Sequence, residues 1–233
     1  MAGFRRVTSE LSGCYEAQIG PAEVRVVITG TGAFAAQKAM NAAFESVPDF
    51  CIASGLAGSL KPEHVPGDVL VGHRVTEIKT GRSAASDTEL RQLATDLGAK
   101  PVEKFLVAER VVATVAEKQQ LAAMGDAVEM EGVYILAAAA QHRVRCVAIR
   151  SISDTVDRDL PLDFERVFDA SGHVSVAKVI GQVAEKPARI GGLVRLAEDS
   201  AKAARALAKF LNGFVQVLST TPWETAKADA IAL

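Results

Sequence analysis

The sequence predicts an α/β protein in three layers, with helices packed on both faces of a mixed, mostly parallel sheet. Short apolar or β-branched runs alternate along the chain with helical patterns, and this alternation is typical of parallel sheets. Of the 233 residues, 49% are hydrophobic, which is enough for one large core. A long amphipathic pattern near the C-terminus predicts one further helix.

Five strands are predicted from short runs rich in valine, isoleucine and alanine. They cover residues 24–29, 49–53, 67–76, 102–107 and 145–152. Between them the patterns favour helices over residues 33–44, part of 82–96, 115–124 and 133–141. Gly30-Thr-Gly32 and Ser54-Gly-Leu-Ala-Gly58 follow the first two strands, and we expect both segments to be turns.

The chain beyond Pro187 predicts one long helix, because apolar residues recur at spacings of three and four. These residues are Leu193, Leu196, Ala203, Leu207, Phe210, Leu211, Phe214 and Leu218. The polar face is mainly basic, so peripheral contact with a membrane surface is an alternative to packing on the sheet or on a partner subunit. We assign residues 1–187 to one domain and residues 188–233 to a helical extension packed on it.

Composition excludes several classes of function. The formal net charge of −2 gives no field that would attract nucleic acid. No apolar run is long enough to cross a bilayer, and the N-terminus lacks the apolar stretch of a secretory signal, so we expect a cytoplasmic protein. The three cysteines and four histidines are scattered, and we expect no metal site.

Polar residues collect where predicted strands end. In parallel sheets ligands bind beyond the carboxyl ends of the strands. Asp154 follows an apolar strand directly, and a carboxylate is costly to place against a buried core. Glu131 stands at the start of an apolar helix. An Asx turn at Asp154 and helix capping by Glu131 are the structural alternatives to a role in a site.

The segment Gly30-Thr-Gly-Ala-Phe-Ala35 also matches the G-x-G-x-x-A pattern of dinucleotide-binding proteins. That pattern requires an acidic residue at the end of the next strand, to hold the ribose. The nearby acid, Asp49, precedes that strand and would lie at the wrong end of the sheet. A tight turn packed close to a helix is therefore favoured over a dinucleotide-dependent oxidoreductase.

Four segments in this order resemble the purine nucleoside phosphorylase and nucleosidase family. They are Gly30-Thr-Gly32, Ser54 to Gly58 with Gly67-Asp68, Glu129-Met-Glu131, and Arg150-Ser-Ile-Ser-Asp154. The resemblance covers roughly residues 24 to 157, and the Met-Glu and Ser-Asp pairs are its most specific part. It implies a nucleoside phosphorylase-like fold and cleavage of the N-glycosidic bond of a purine nucleoside, with adenine as the expected base.

The resemblance also implies a role for each site residue. Asp154, oriented by Ser153, would protonate N7 of the base, so that the base departs neutral. Glu131 would bind the ribose and Met130 would pack beneath it. The base and sugar pocket would be completed by Ala57, Gly58 and Glu129.

The attacking group is not fixed by these motifs. The family's water-activating glutamate or phosphate-binding glycine lies on an upstream strand and turn that we do not recognise in the first twenty residues; Glu10 and Glu16 are possible substitutes. Gly32 and Leu56 mark a weak candidate site for phosphate or water. Ala53 and Leu56 stand where bacterial hexameric phosphorylases carry an arginine and a serine, which favours hydrolysis. Other possible phosphate ligands are Arg74, Arg110 or an arginine of a neighbouring subunit.

The segments 159–164 and 169–173, with the long basic helix, resemble the hopanoid-associated branch of this family. That branch implies removal of adenine from adenosylhopane, a lipid-tailed nucleoside. The resemblance also implies a homodimer or homohexamer and no cofactor, with inorganic phosphate as a possible co-substrate. The alternative function is a non-catalytic purine or nucleoside-binding module.

Overall fold

The computed structural model describes residues 3–7, 13–167, 176–185 and 189–223. Within these ranges nine strands are present: β1 (Arg5–Val7), β2 (Cys14–Ile19), β3 (Ala22–Val27), β4 (Phe50–Ser59), β5 (Val69–Glu77), β6 (Ser83–Ala85), β7 (Lys100–Val107), β8 (Ala127–Glu129) and β9 (Arg145–Asp154). The same ranges contain seven α-helices: α1 (Ala33–Ala43), α2 (Thr88–Asp96), α3 (Val115–Leu121), α4 (Gly132–Gln141), α5 (Phe164–Val167), α6 (Val176–Glu185) and α7 (Ile190–Thr220).

The central sheet has six strands in the order β6-β5-β7-β8-β4-β9, and the mixed, mostly parallel sheet is confirmed. The long ladders β4–β9 and β5–β7 are parallel, as is β7–β8, whereas the shorter β4–β8, β5–β6 and β5–β9 ladders are antiparallel. Because β5 also pairs with β9, five of these strands close into a ring. This closure was not predicted, since it depends on pairing between distant parts of the chain.

Helices cover both faces of the sheet, as predicted. On one face α1 and α4 pack on β4, β5, β7 and β9 through a large apolar cluster that includes Met40, Phe105 and Leu136. On the other face α2 and α7 bury Leu90, Leu207 and Phe214 against β5 and β9. The sheet is therefore the middle one of three layers.

The predicted C-terminal helix is present as α7, which is 31 residues long. From Ala203 onward the helix packs on the sheet, with Ala203, Leu207, Phe214, Val215 and Leu218 buried. Near its start Ile190 and Val194 are exposed. The domain boundary after residue 187 stays a prediction, and residues 224–233 lie outside the described part of the chain. None of the described helices is long and apolar enough to cross a membrane.

Two predicted strand ends were placed too early. The glycine-rich segment Ser54–Gly58 was expected to be a turn, but β4 continues through it to Ser59. Small residues suit this strand because side chains from β9 approach its backbone closely, Arg150 at Gly55 and Asp154 at Gly58. Likewise β9 extends to Asp154, so the polar Ser153-Asp154 pair belongs to the strand.

The first strand also differs from its expected place. The run predicted at residues 24–29 forms β3, Ala22–Val27, which pairs with β2 in a separate antiparallel sheet of three strands. Its outer edge and part of β4 line one groove of about 2400 Å³. A strand predicted from local pattern thus lies outside the central sheet, because periodicity does not identify the partner strand.

Candidate active site

A cavity of about 320 Å³ lies at the carboxyl ends of β4 and β9. This volume is within the range of small-molecule sites. Eight of the nine predicted site residues line it: Leu56, Ala57, Gly58, Glu129, Met130, Glu131, Ser153 and Asp154. The ninth, Gly32, does not line the cavity, but its backbone N–H donates to Glu131, which does. The other lining residues are Thr31, Arg110, Val111, Val112, Val128, Phe164, Leu196 and Ser200.

Asp154 lies at the end of β9, with its side chain 15% exposed. Ser153 Oγ donates to Asp154 Oδ1 at 2.7 Å and lies 3.3 Å from the carbonyl oxygen of Ala57. The hydrogen bond expected from Ser153 is therefore present. It fixes the orientation of the carboxylate at the wall of the cavity, and the Asx-turn alternative does not apply because β9 includes Asp154.

Gly58 is in register with Asp154 across the β4–β9 ladder, next to an irregularity at Ala57 and Gly58. A Cβ atom at position 58 would lie 2.9 Å from Asp154 Oδ2, closer than side chains tolerate. The resemblance implied that Gly58 helps to complete the base and sugar pocket. The structure shows a further reason why position 58 is a glycine: the Asp154 carboxylate occupies the space that a Cβ atom would need.

Glu131 precedes α4 and turns back toward the loop before α1. Its Oε1 accepts a hydrogen bond from the backbone N–H of Gly32 at 2.7 Å. Burial raises the pKa of Glu131, and the neighbouring Glu129 adds to the effect, whereas the Gly32 amide and Arg150 oppose it. Glu131 makes no side-chain hydrogen bond that caps α4, so the capping alternative is wrong.

Glu129 performs the capping instead. Its carboxylate accepts from the backbone N–H of Gly132 at 2.8 and 2.9 Å and from that of Glu131 at 3.1 Å. Arg150 Nη2 donates to Glu129 Oε2 at 2.6 Å. The Glu129 side chain is only 1% exposed. Its carboxylate therefore holds the Met130-Glu131 turn through largely buried hydrogen bonds to the backbone.

Arg150 is a residue whose part in the site was not predicted. It is buried on β9, and its Nη1 donates to the carbonyl oxygen of Ala53 at 2.6 Å. It therefore connects β9, β4 and the turn that carries Glu131. An arginine inside an otherwise apolar strand was the available signal, because a buried guanidinium requires an acidic partner.

Lys118 was also missed. It lies on α3, its side chain has no exposed surface, and its Nζ is 2.5 Å from Asp154 Oδ2. No pattern in the sequence indicates this role, since a lysine in a short polar helix is usually solvated. The adjacent Glu117 forms an ion pair with Arg110, which holds the pKa of Glu117 at about 2.

Several other candidates lie away from the cavity. Arg74 pairs with Ala85 at the β5–β6 edge, and Glu16 on β2 accepts from Arg25 at 3.2 Å. Glu10 lies outside the described residues. Asp49 precedes β4 and so lies at the end of that strand opposite the cavity. In the described ranges no group of three histidine, cysteine or acidic side chains could hold a metal ion.

Comparison with known proteins gives related sequences with nucleosidase names. The 5′-methylthioadenosine/S-adenosylhomocysteine nucleosidases of Shewanella loihica and Shewanella sediminis are each 28% identical to this chain over 206 residues. The aligned region covers 77% of this chain and 86% of each relative. This chain therefore spans most of the length of these relatives.

Solved structures share the fold. A variant of the Helicobacter pylori methylthioadenosine nucleosidase with 5′-methylthioadenosine in its active site gives a TM-score of 0.70 at 18% identity, covering 93% of this chain and 90% of that chain. The futalosine hydrolase of H. pylori gives 0.70 at 18% identity, covering 93% and 89%. The Neisseria meningitidis nucleosidase in complex with methylthio-immucillin-A gives 0.68 at 21%, covering 92% and 90%.

The family follows from the match along the sequence itself. Residues 4–191 match the family described as the phosphorylase superfamily, which is most of the 233-residue chain. This match includes every predicted site residue and both supporting residues, Arg150 and Lys118. The chain belongs to the phosphorylase superfamily.

Proposed function

We propose that this protein cleaves the N-glycosidic bond of an adenine nucleoside by hydrolysis. The observation that carries the proposal is one cavity lined by Asp154, which Ser153 orients, and by the partly buried Glu131. An acid for the leaving base and an acceptor for sugar hydroxyls are the two groups that this reaction needs. The nucleosidase names of the sequence relatives support the same reaction class.

In this mechanism the bond between C1′ and N9 breaks, and its electron pair moves to the purine. A proton moves from the Asp154 carboxyl group to N7, so that adenine leaves as a neutral molecule. Glu131 accepts a hydrogen bond from a ribose hydroxyl, and its negative charge favours the positive charge that develops at C1′. Water adds at C1′ and keeps one proton as part of the new hydroxyl group, and the other proton is released and restores the acid.

Hydrolysis is favoured over phosphorolysis because the cavity offers little positive charge for binding phosphate. Among its lining residues Arg110 is the basic one, and it is ion-paired with Glu117. A phosphate dianion would therefore compete with Glu117 for this guanidinium. Gly32, the weak phosphate candidate, already donates its backbone N–H to Glu131.

We further propose that the substrate carries an apolar group at its 5′ position. The cavity is lined by the apolar side chains of Val111, Val112, Phe164 and Leu196, the last contributed by α7. Adenosylhopane is a nucleoside of this kind, and contact between α7 and a membrane surface would suit a lipid-tailed substrate. The exposed Ile190 and Val194 lie on the same half of α7 as Leu196.

We propose that the protein forms a homodimer or homohexamer. Two large hydrophobic side chains are exposed near the start of α1: Ile28, before the helix, is 53% exposed, and Phe34, within it, is 81% exposed. Leu56, which lines the cavity, is 38% exposed. Exposed apolar residues close to a site are typical of interfaces. Light scattering of the purified protein should give a mass of two or six chains, and a monomer would contradict this proposal.

The function is tested by release of adenine from adenosine, 5′-methylthioadenosine and an adenosine with a long apolar 5′ substituent. Each is incubated with the protein, with and without phosphate, and followed by chromatography. We expect phosphate-independent release, fastest from an apolar 5′ substituent. Release only with phosphate would make the protein a phosphorylase. No release, together with saturable adenine binding, would favour a binding module instead.

A further inference from the structure

Lys118 is a buried cation in contact with the proposed acid. Its side chain has no exposed surface, and Nζ lies 2.5 Å from Asp154 Oδ2, 2.7 Å from the carbonyl oxygen of Thr155 and 3.5 Å from that of Arg158. An ammonium group has three N–H donors and no acceptor. Three oxygen atoms around one buried Nζ therefore match a charged lysine.

The backbone around Lys118 is fixed from both sides. Thr114 caps α3, and the N–H of Val115 donates to Asp159 Oδ1 at 2.7 Å. The N–H of Leu160 donates to the carbonyl oxygen of Ala113, also at 2.7 Å. The start of α3 is thus joined to the segment that follows β9. This arrangement holds Nζ against the carboxylate.

The two oxygens of Asp154 have different neighbours. Oδ2 faces the Lys118 ammonium, which can only donate, whereas Oδ1 faces the Ser153 hydroxyl, which can donate or accept. A proton on Oδ2 would point at a group that cannot accept it. In the proposed reaction the proton that Asp154 transfers would therefore be carried on Oδ1, with the Ser153 hydroxyl donating to the carbonyl oxygen of Ala57 instead.

We propose that Lys118 is a positioning residue that acts through Asp154, as the counter-ion of the carboxylate that forms when Asp154 gives up its proton. This inference rests on the proposed function. When the proton leaves Oδ1 for N7 of the base, Asp154 becomes negatively charged within a largely buried environment. The ammonium at Oδ2 compensates that charge without moving, which stabilises the transition state for proton transfer. Lys118 itself gains and loses no proton and does not touch the substrate.

The role is tested by leaving-group dependence. Lys118→Met and Lys118→Gln remove the charge, Lys118→Arg keeps it, and Gln120→Met changes an exposed residue of the same helix as the control. Each variant is assayed on the adenine nucleoside that the native protein cleaves best. The second substrate is the corresponding 4-nitrophenyl riboside, whose leaving group departs without protonation.

We expect Lys118→Met to lower kcat on the adenine nucleoside by roughly ten- to a hundredfold, part of the 10²–10⁴-fold typical of general acid catalysis. KM should change little, the 4-nitrophenyl riboside should be cleaved at nearly the native rate, and Lys118→Arg should recover part of kcat. Gln120→Met should behave as the native protein on both substrates. Should Lys118→Met fail to fold, Lys118→Gln provides the same comparison.

Equal losses on both substrates would show that Lys118 is only structural, and native kcat in both uncharged variants would show that it has no role. Either result overturns the inference while leaving the proposed function intact. A native protein that cleaves neither substrate would instead contradict the proposed function, and the inference with it.

Discussion

Arg150 and Glu129 form an ion pair beneath the proposed sugar site, with 2.6 Å between Arg150 Nη2 and Glu129 Oε2 and side chains only 3% and 1% exposed. The arginine lies four residues before Asp154 on β9, and the glutamate two residues before Glu131. The pair therefore connects the strand that carries the proposed acid to the turn that carries the proposed sugar ligand. Its burial makes both positions sensitive to the loss of either partner.

Arg150→Met should destabilise the protein by about 3–5 kcal/mol, because it leaves the Glu129 carboxylate buried without its cation. The free energy of unfolding is measured by urea titration. Arg25→Met is the matched control, since the Arg25–Glu16 pair is 43% and 36% exposed. An exposed pair contributes about 0–1 kcal/mol. Equal effects of the two substitutions would contradict the importance of the buried pair.

Gly58→Ala should abolish most activity while leaving the fold in place. The added Cβ would lie 2.9 Å from Asp154 Oδ2, so the carboxylate must move away from its position at Lys118. Gly55→Ala is the matched control on the same strand, because its nearest contact, Arg150 Nε, would be at an ordinary 3.9 Å. Adenine release is compared for the two variants. Equal rates would contradict the claim that the Asp154 carboxylate needs a glycine at position 58.

Asp154→Asn should lower adenine release by at least roughly 10²-fold, because an amide cannot give up a proton to the base. The variant should remain folded, since Lys118 keeps the carbonyl oxygens of Thr155 and Arg158 as acceptors. Its melting temperature should nevertheless fall, because the buried ammonium loses its counter-ion. Turnover near the native rate in a folded variant would exclude Asp154 as the acid.

Glu131→Gln should make stability less dependent on pH. Burial raises the pKa of Glu131 above its ordinary value of 4.5, so the folded protein holds this proton more tightly than the unfolded chain does. The favourable contribution of the protonated group is complete below the unfolded pKa and is lost as pH rises through the folded pKa. Relative to the native protein, the variant should therefore gain stability between about pH 4 and about pH 8.

The measurement is urea unfolding of both proteins at those two pH values. If the stability difference between the native protein and the variant does not change with pH, folding does not raise the pKa of Glu131. The same variant should bind the nucleoside more weakly, because an uncharged amide is a poorer acceptor for a sugar hydroxyl than a carboxylate.

The sequence determined the types and order of most elements, because apolar periodicity is a local property of the chain. The helices α1, α4 and α7 begin close to their predicted starts at residues 33, 133 and 188. Local motifs also identified Asp154, Ser153 and Glu131, which the structure places around one cavity. A polar residue directly after an apolar strand indicates a site residue, because burying a polar side chain without a partner is unfavourable.

The tertiary structure decided which residues support these groups. The Gly32 amide that holds Glu131 is 99 residues away in sequence, and the Lys118 ammonium that contacts Asp154 is 36 residues away. The closure of the sheet through β5 and β9, and the continuation of β4 through its glycines, likewise depend on contacts between distant segments. A lysine or a glycine has the same local pattern whether it lies in solvent or against a carboxylate, and only the packing of α3 and β4 on β9 distinguishes the two.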